Sequence, residues 1–351
     1  MERPLVVVFS VVCEDGIEEI ERPIIEESGA EVVSVKDVEE FEKYIPEMDV
    51  LIVANADINR DILSRAKRCK AIVRHGMGVD NIDVEAATEF GIMVCNVPDF
   101  NLEEVSDHAL AFALSLARYM PHYNWSIQRD KTWHHMSYPV PLRIGSMKLG
   151  IVGFGKIGRC LARKAKPLFG EVLAYDPFMN AKAAEELGVT VFDELDDLLR
   201  VADVVSIHVP MTEKTFHLID DRRIRLMKPS AHLINTSRGS LVDMEALTVA
   251  LREGVIAGAG FDVIEGEFSP DMSHPMFEEK RFFFTPHTAW YSRDALKKLR
   301  TTSSEEARDV VMGKIPVGRL NEVPIRGVKP RSRSERKRTN KSKTADIKNY
   351  S

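Results

Sequence analysis

Three short stretches hold side chains able to grip an anion or move a proton. Asn235-Thr236-Ser237-Arg238-Gly239 puts an arginine directly after the apolar run Ala231-His232-Leu233-Ile234. A guanidinium there offers a planar fork to a carboxylate, or positive charge to a carbonyl oxygen. Phe261-Asp262-Val263-Ile264-Glu265-Gly266-Glu267 supplies three carboxylates, and Thr285-Pro286-His287-Thr288-Ala289-Trp290 supplies a histidine. Histidine changes charge near neutral pH and is the usual proton donor or acceptor. Taken singly, each stretch also has a purely structural meaning. A strand-end arginine can be a surface ion pair, a histidine beside an aromatic run can be a satisfied core residue, and Glu265 or Glu267 can cap a turn.

A fourth stretch changes the weighting. Residues 149–176 read as an apolar strand, Gly153-Phe154-Gly155-Lys156-Ile157-Gly158, a helical segment, and a second apolar strand ending at Asp176. Glycines at this spacing allow a tight turn and close approach of backbone to a pyrophosphate, which the helix N-terminus then receives. The spacing alone is common; its place after a strand, before a helix, and 18 residues ahead of an acid is what points to a dinucleotide. Asp176 can accept hydrogen bonds from a ribose diol and would repel the extra phosphate of NADP. The next lysine or arginine is Lys182. The expected cofactor is NAD, and with it arginine, histidine and carboxylate become equipment for moving a proton while a hydride moves.

The elements that must position these residues alternate strand and helix. Apolar runs at 5–9, 31–34, 49–53, 71–73 and 92–95 are separated by helix-like segments such as 17–28, 59–67 and 83–90. That predicts a parallel, doubly wound sheet. A helix is expected from Asn101 to about residue 120, with Glu104 completing a capping box. Its apolar residues spread over most of its circumference, which predicts burial on most sides, between domains and against another subunit. Residues 121–146 lack periodicity and read as an irregular excursion. Further alternation through 204–207, 231–234, 257–261 and 282–284 predicts a second doubly wound domain, and 292–312 a final helix. The fold class is α/β with two doubly wound parallel-sheet domains. Residues 1–100 and 292–327 form a flavodoxin-like substrate (lid) domain, 101–291 a Rossmann NAD-binding domain, and 328–351 a disordered basic tail.

With 351 residues, 44% of them hydrophobic and 29% charged, the composition is that of a soluble globular protein of two domains. No apolar run approaches the roughly 20 residues of a membrane span. The first residues, MERPLVVVFS, read as a strand and not as a signal peptide. Cys13, Cys69, Cys95 and Cys160 lack metal-ligand or CxxC spacing, which fits reduced thiols in the cytoplasm. The adjacent His134 and His135 read as surface residues, and no metal is expected. Lysine and arginine outnumber acids nine to two in residues 328–351, so the net charge of −6 becomes −13 for the remainder. An acidic body argues against nucleic-acid binding by the folded part. The tail has the composition of a nuclear-targeting or anion-seeking segment, and equally of a solvated end.

Over roughly residues 1–325 the chain resembles the D-isomer-specific 2-hydroxyacid dehydrogenase family. The likeness is carried by RHGMGVDNID (74–83), CNVP (95–98), EEVSDHAL (103–110), GFGKIG (153–158), YDP (175–177), HVPMTEKT (208–215), NTSRGSLVD (235–243), FDVIEGE (261–267) and PHTAWYS (286–292). PHTAWYS and GKIPVGRLNEVP (313–324) resemble most the branch containing the C-terminal-binding corepressor proteins. The resemblance implies Arg238 as the arginine that binds substrate and polarises its carbonyl. It implies His287 as proton donor in reduction and base in oxidation, and Glu267 as its paired acid, five residues after Asp262. A carboxylate beside an imidazole favours the protonated ring. By the same likeness Gly153, Gly155, Lys156, Ile157, Gly158, Asp176, His208, Thr236, Ser237 and Asp262 fall where the family contacts NAD. Arg74, Gly76, Met77 and Gly78 match the loop whose backbone amides hold the substrate carboxylate from the other domain, and Trp290 would narrow or floor the pocket.

Two departures bear on this. Phe268 stands where the family usually has proline, which leaves the shape of that loop open, and Glu267 argues against the formate dehydrogenases of the same fold, which pair glutamine with histidine. The resemblance implies a homodimer acting on a small 2-oxo or 2-hydroxy acid in the cleft between domains. Its alternative is an NAD(H)-responsive corepressor-like scaffold with little turnover, since that branch keeps the same three residues. Localisation is expected to be cytoplasmic, or nuclear if the tail is a targeting signal.

Overall fold

The structure is a computed structural model that describes residues 3–9, 17–267 and 269–324. Cys13, Phe268 and the basic stretch 328–351 lie outside the described residues. The chain divides into two compact units, one from residues 1–100 together with 296 onward, the other from 101–295.

In the first unit five strands, β1 (Leu5–Phe9), β2 (Glu31–Val35), β3 (Val50–Val53), β4 (Ala71–Arg74) and β5 (Met93–Cys95), make one sheet in the order β2-β1-β3-β4-β5. Every pairing is parallel. The central strands are apolar throughout because both faces are covered: Val50 to Val53 are fully buried. Helices Val38–Tyr44, Arg60–Arg65 and Val84–Glu89 each start at an Asp or Asn whose side chain accepts an N–H three residues on, from Asp37, Asn59 and Asp83 respectively. The expected helix over 17–28 begins instead with a wider π turn, Ile17–Glu21, before Arg22–Glu26. The final helix, Arg293–Val311, gives Ala307 and Val310 to the core against β1, β3 and β4.

The second unit carries seven strands: β6 (Lys148–Val152), β7 (Glu171–Tyr175), β8 (Thr190–Val191), β9 (Val204–Ile207), β10 (His232–Asn235), β11 (Gly258–Phe261) and β12 (Phe282–Phe284). Their order is β12-β11-β10-β9-β6-β7-β8, again all parallel. Counting from β6, this is the dinucleotide-binding order 3-2-1-4-5-6 with a seventh strand added. The direction of winding reverses between β6 and β9, where such sheets bind ligands. Helix Leu102–Ala117 lies on this sheet through Ala109, Phe112, Ala113 and Leu116. Gly260 in β11 permits the approach, since a Cβ there would sit 3.0 Å from both Leu116 and Phe112.

Two expectations fail here. The Asn101 side chain makes no capping bond, and Glu104 accepts a hydrogen bond from Ser292 Oγ at 2.6 Å. The carboxylate found a partner far along the chain and is not used at the helix start. Residues 121–146 are also not wholly irregular: after Tyr119 in the left-handed region (φ 53°), a helix runs Met120–Gln128 with a proline in its first turn. Its weak apolar periodicity hid it. Among the described residues no helix is long and apolar enough to cross a membrane.

Candidate active site

The glycine turn after β6 is shaped by exclusion. Gly153 has φ +97°, and a Cβ on it would lie 2.6 Å from the His208 carbonyl oxygen. A Cβ on Gly158 would lie 2.2 Å from the Gly153 carbonyl oxygen. The first and third glycines therefore let strand, turn and helix close on one another. Gly155 differs, because nothing lies within 4 Å of the place its Cβ would occupy. It is the N-cap of helix Lys156–Ala165 and offers no side-chain cap, which leaves the first N–H groups facing that open space. Asp176, at the end of β7, accepts the Phe154 N–H through Oδ2 and the Phe178 N–H through Oδ1, both at 2.7 Å. Each oxygen keeps a lone pair for a further donor.

Two orphaned polar atoms lie on the neighbouring strand ends. His208 follows β9; its Nε2 is 2.9 Å from Ser206 Oγ, while its buried Nδ1 has no partner among the described residues. Burial pushes its pKa down to about 4, so the ring is neutral at neutral pH. Thr236, after β10, is buried with its Oγ1 likewise unpartnered. Buried polar atoms without partners call for a bound group or water. Ser237 is otherwise engaged, its Oγ donating to the Ile207 carbonyl at 2.8 Å.

Arg238 is aimed by the turn it sits in. Asn235 Oδ1 accepts the Ser237 N–H at 3.0 Å and Asn235 Nδ2 donates to the Arg238 carbonyl at 2.8 Å, a side chain closing its own turn. The next residue has to be glycine, because a Cβ on Gly239 would fall 2.0 Å from the Ile264 carbonyl carbon. Arg238 and Glu267 thereby share one open depression of about 230 Å³, lined also by Gly239, Ser240, Ile264, Glu265 and Gly266. Of the two neighbouring acids, Glu267 reaches His287, with Oε1 2.6 Å from Nδ1. Glu265 instead lies 3.7 Å from His217 Nε2. A carboxylate can only accept, so Nδ1 carries the hydrogen and Nε2 is the ring nitrogen left for another group.

His287 has φ +53°, a conformation side chains other than glycine rarely hold. Asp262 holds it there. The Asp262 carbonyl accepts the His287 N–H at 2.7 Å. Its carboxylate accepts the Thr288 and Ala289 N–H groups, each at 2.8 Å, and the Thr285 hydroxyl at 2.5 Å. His108, on helix Leu102–Ala117, closes the network through Nε2 to Thr285 Oγ1 at 2.8 Å, and burial holds its pKa below the usual histidine value. Asp262 thus acts first as the brace of the His287 turn. Trp290 is half-buried, its ring edge-on to Tyr291 at 5.2 Å, and lies outside the lining of the Arg238 depression.

In the first unit, Arg74 ends β4 and His75 to Gly78 follow it. Gly76 is buried, and a Cβ there would collide with the Arg74 guanidinium at 1.2 Å. Its carbonyl accepts the Val97 N–H at 2.9 Å, and the Met77 carbonyl accepts from Asn96 Nδ2 at 2.6 Å.

Residues 110–289 match the profile described as "D-isomer specific 2-hydroxyacid dehydrogenase, NAD binding domain". The glyoxylate reductase of Thermococcus litoralis is 35% identical over 285 residues, which cover 79% of this chain and 85% of that one. The chain belongs to the D-isomer specific 2-hydroxyacid dehydrogenase family. Within that family, the D-3-phosphoglycerate dehydrogenase of Methanocaldococcus jannaschii is 35% identical over 309 residues, 88% of this chain. The chain spans only 58% of that relative's length. The Aquifex aeolicus D-lactate dehydrogenase, solved with NAD and lactic acid, superposes with a TM-score of 0.78 at 27% identity, covering 88% of this chain and 96% of that one. The seven-stranded unit is the family's NAD-binding domain, and its cofactor is NAD.

Sequence reading missed Asn235, Thr285, Thr288 and His108 as shapers of the site. Asn235 carried a local signal, a turn-closing asparagine ahead of the arginine. The His108–Thr285 bond joins residues 177 apart and had none.

Proposed function

We propose that this chain is an NAD-dependent oxidoreductase interconverting a 2-oxo acid and a D-2-hydroxy acid. The observation that supports it most is the His287–Glu267 pair at 2.6 Å beside a depression that Arg238 lines. NAD, when bound, accepts or supplies the hydride. Gly153, Gly155, Gly158 and the first turn of helix Lys156–Ala165 would hold its pyrophosphate, with Lys156 and Ile157 at the contact. Asp176 would take the ribose diol, and His208, Thr236, Ser237 and Asp262 would line the remainder. Arg238 binds the substrate and draws electron density toward the carbonyl oxygen. As that oxygen gains charge in reduction, His287 gives it the Nε2 proton; in oxidation the neutral ring takes the hydroxyl proton back. Glu267 holds the ring through Nδ1 and stabilises the imidazolium. Arg74, Gly76, Met77 and Gly78 hold the substrate carboxylate, and Trp290 borders the side chain of the acid. Substrate size is read by assay, with glyoxylate, pyruvate, hydroxypyruvate and phosphohydroxypyruvate as the first panel.

The test is NADH oxidation over that panel by the wild type, Arg238→Ala and His287→Ala. Wild-type turnover falling by at least about 10³-fold in both variants, as loss of several kcal/mol of transition-state stabilisation requires, is the expected result. Tight NADH binding without turnover of any 2-oxo acid would reject the enzyme reading and leave a binding scaffold. We further infer a homodimer, whose sedimentation at micromolar concentration gives about twice the mass of the 39.6 kDa chain. A single monomer peak would refute it.

A further inference from the structure

We propose that Asn96 is a positioning residue for substrate: it turns the Met77–Gly78 backbone so that two successive N–H groups face one way. This rests on the reading of residues 76–78 as the carboxylate-binding segment. The Gly76 carbonyl accepts the Val97 N–H at 2.9 Å, and the Met77 carbonyl accepts the Asn96 side-chain N–H at 2.6 Å. Both carbonyls are therefore drawn toward the Asn96–Val97 segment. None of the peptide bonds is cis among the described residues. In a trans peptide the N–H points opposite to the C=O of the same plane. The Met77 N–H and the Gly78 N–H must then both point away from Asn96. Neither has a hydrogen-bond partner among the described residues. Two consecutive N–H groups on one side form a concavity that suits an anion oxygen.

The clamp is itself anchored. Val97 is fully buried, and the Asn96 N–H donates to the Gly318 carbonyl at 3.0 Å. Gly318 cannot shift easily, since a Cβ there would sit 1.9 Å from the Asn96 carbonyl oxygen, and its own N–H is held by Glu306 at 2.6 Å. Gly76 contributes freedom of a different kind, with φ +150°, a conformation that other residues rarely adopt. Among the described residues, Asn96 is thus the side chain that fixes the second of the two peptide planes. The partner is a carbonyl, so the side-chain atom must be the amide nitrogen. Aspartate, which has the same shape, cannot replace that donor.

The experiment compares wild type, Asn96→Ala and Asn96→Asp in two readouts. In steady-state reduction of the best 2-oxo acid of the panel, KM should rise at least tenfold, about 1.4 kcal/mol. The fall in kcat should be much smaller, and the NADH Kd should stay within twofold. Amide hydrogen exchange at buried Val97, whose N–H the Gly76 carbonyl accepts, should accelerate at least fivefold, while β1 and β3 keep wild-type protection. A merely structural asparagine would lower Tm and protection throughout the unit without splitting KM from kcat. Unchanged KM in an active enzyme overturns the proposal, as does unchanged exchange at Val97. If the wild type reduces no 2-oxo acid, the dehydrogenase reading falls, and the exchange measurement alone still decides whether Asn96 holds the segment.

Discussion

Two turns in the second unit follow parallel strands and carry the cofactor and acid–base machinery, yet they are built in opposite ways. The turn at 153–158 owes its shape to side chains that are missing: Gly153 and Gly158 sit where any Cβ would strike backbone. The turn at 285–289 owes its shape to a side chain that is present: one buried carboxylate, Asp262, collects two N–H groups and a hydroxyl from it. The first closes against distant backbone too, the His208 carbonyl, but by exclusion of a side chain. The second holds His287 at a left-handed φ only because residues more than twenty positions away insist on it. A turn made by exclusion should resist loss of any one hydrogen bond, whereas a turn made by a single carboxylate should fail with it.

The largest effect therefore belongs to Asp262→Ala. Removing the carboxylate strands the buried Ala289 N–H, the Thr288 N–H and the Thr285 hydroxyl, which costs about 3 kcal/mol of unfolding free energy. Turnover should drop further than stability accounts for, on the order of 10³-fold at temperatures where the variant is still folded, because His287 is released. Urea denaturation and single-turnover hydride transfer measure the two losses separately. A variant within about 1 kcal/mol of wild type and fully active would mean that the loop holds its own shape, and the contrast would collapse.

A third turn, in the first unit, sharpens the comparison by using both devices at once. Gly318 has no room for a Cβ, and Glu306 receives its N–H. Here the carboxylate is poorly served, since Oε2 has no partner among the described residues. Burial and, to a lesser degree, nearby Asp309 push the Glu306 pKa up to about 7, against a relief from the Gly318 N–H. The folded state thus binds the proton more tightly than the unfolded chain does. Stability contributed by this group is fully present below about pH 4.5 and is lost as pH rises through about 7, amounting to at most about 3 kcal/mol. Wild type should weaken from pH 5 to pH 8 in urea titrations, and Glu306→Gln should flatten that slope. Equal slopes in the two proteins would remove Glu306 as the cause.

The same contrast explains what could be read from the sequence. The glycine turn, the parallel strands and the acid closing the βαβ unit are local patterns, so their places and the NAD-binding order follow from spacing. Arg238, Glu267 and His287 stood out only by chemical type and family likeness; no local pattern states that Glu267 and not Glu265 meets the imidazole. What stayed hidden depends on long-range pairing. Glu104 looked like a capping acid because its true partner, Ser292, lies 188 residues on. The brace of His287 by His108 and Thr285, and of Met77 by Asn96, is equally invisible before the chain is folded. Helix Met120–Gln128 escaped for a different reason, its side chains being too mixed to give an apolar stripe.

The smallest and most discriminating effects lie within the glycine turn itself. Gly158→Ala gains helix propensity of about 1 kcal/mol yet forces a Cβ to within 2.2 Å of the Gly153 carbonyl oxygen, so the net result should be a loss of about 2 kcal/mol. Gly155→Ala should be harmless to the fold. Its φ of −71° suits any residue, and nothing lies within 4 Å of the added methyl. Reduced freedom of the unfolded chain, about 0.5 kcal/mol, should roughly offset the poorer fit of alanine at the N-cap. The cost should appear only when NADH is titrated, as a Kd at least tenfold weaker, because the methyl occupies the path by which the pyrophosphate reaches the helix N–H groups. Fluorescence titration beside thermal unfolding separates the two quantities. If Gly155→Ala bound NADH as wild type does, the open space beside Gly155 would not be the pyrophosphate's. If instead it were as unstable as Gly158→Ala, absence of side chains would not be what shapes this turn.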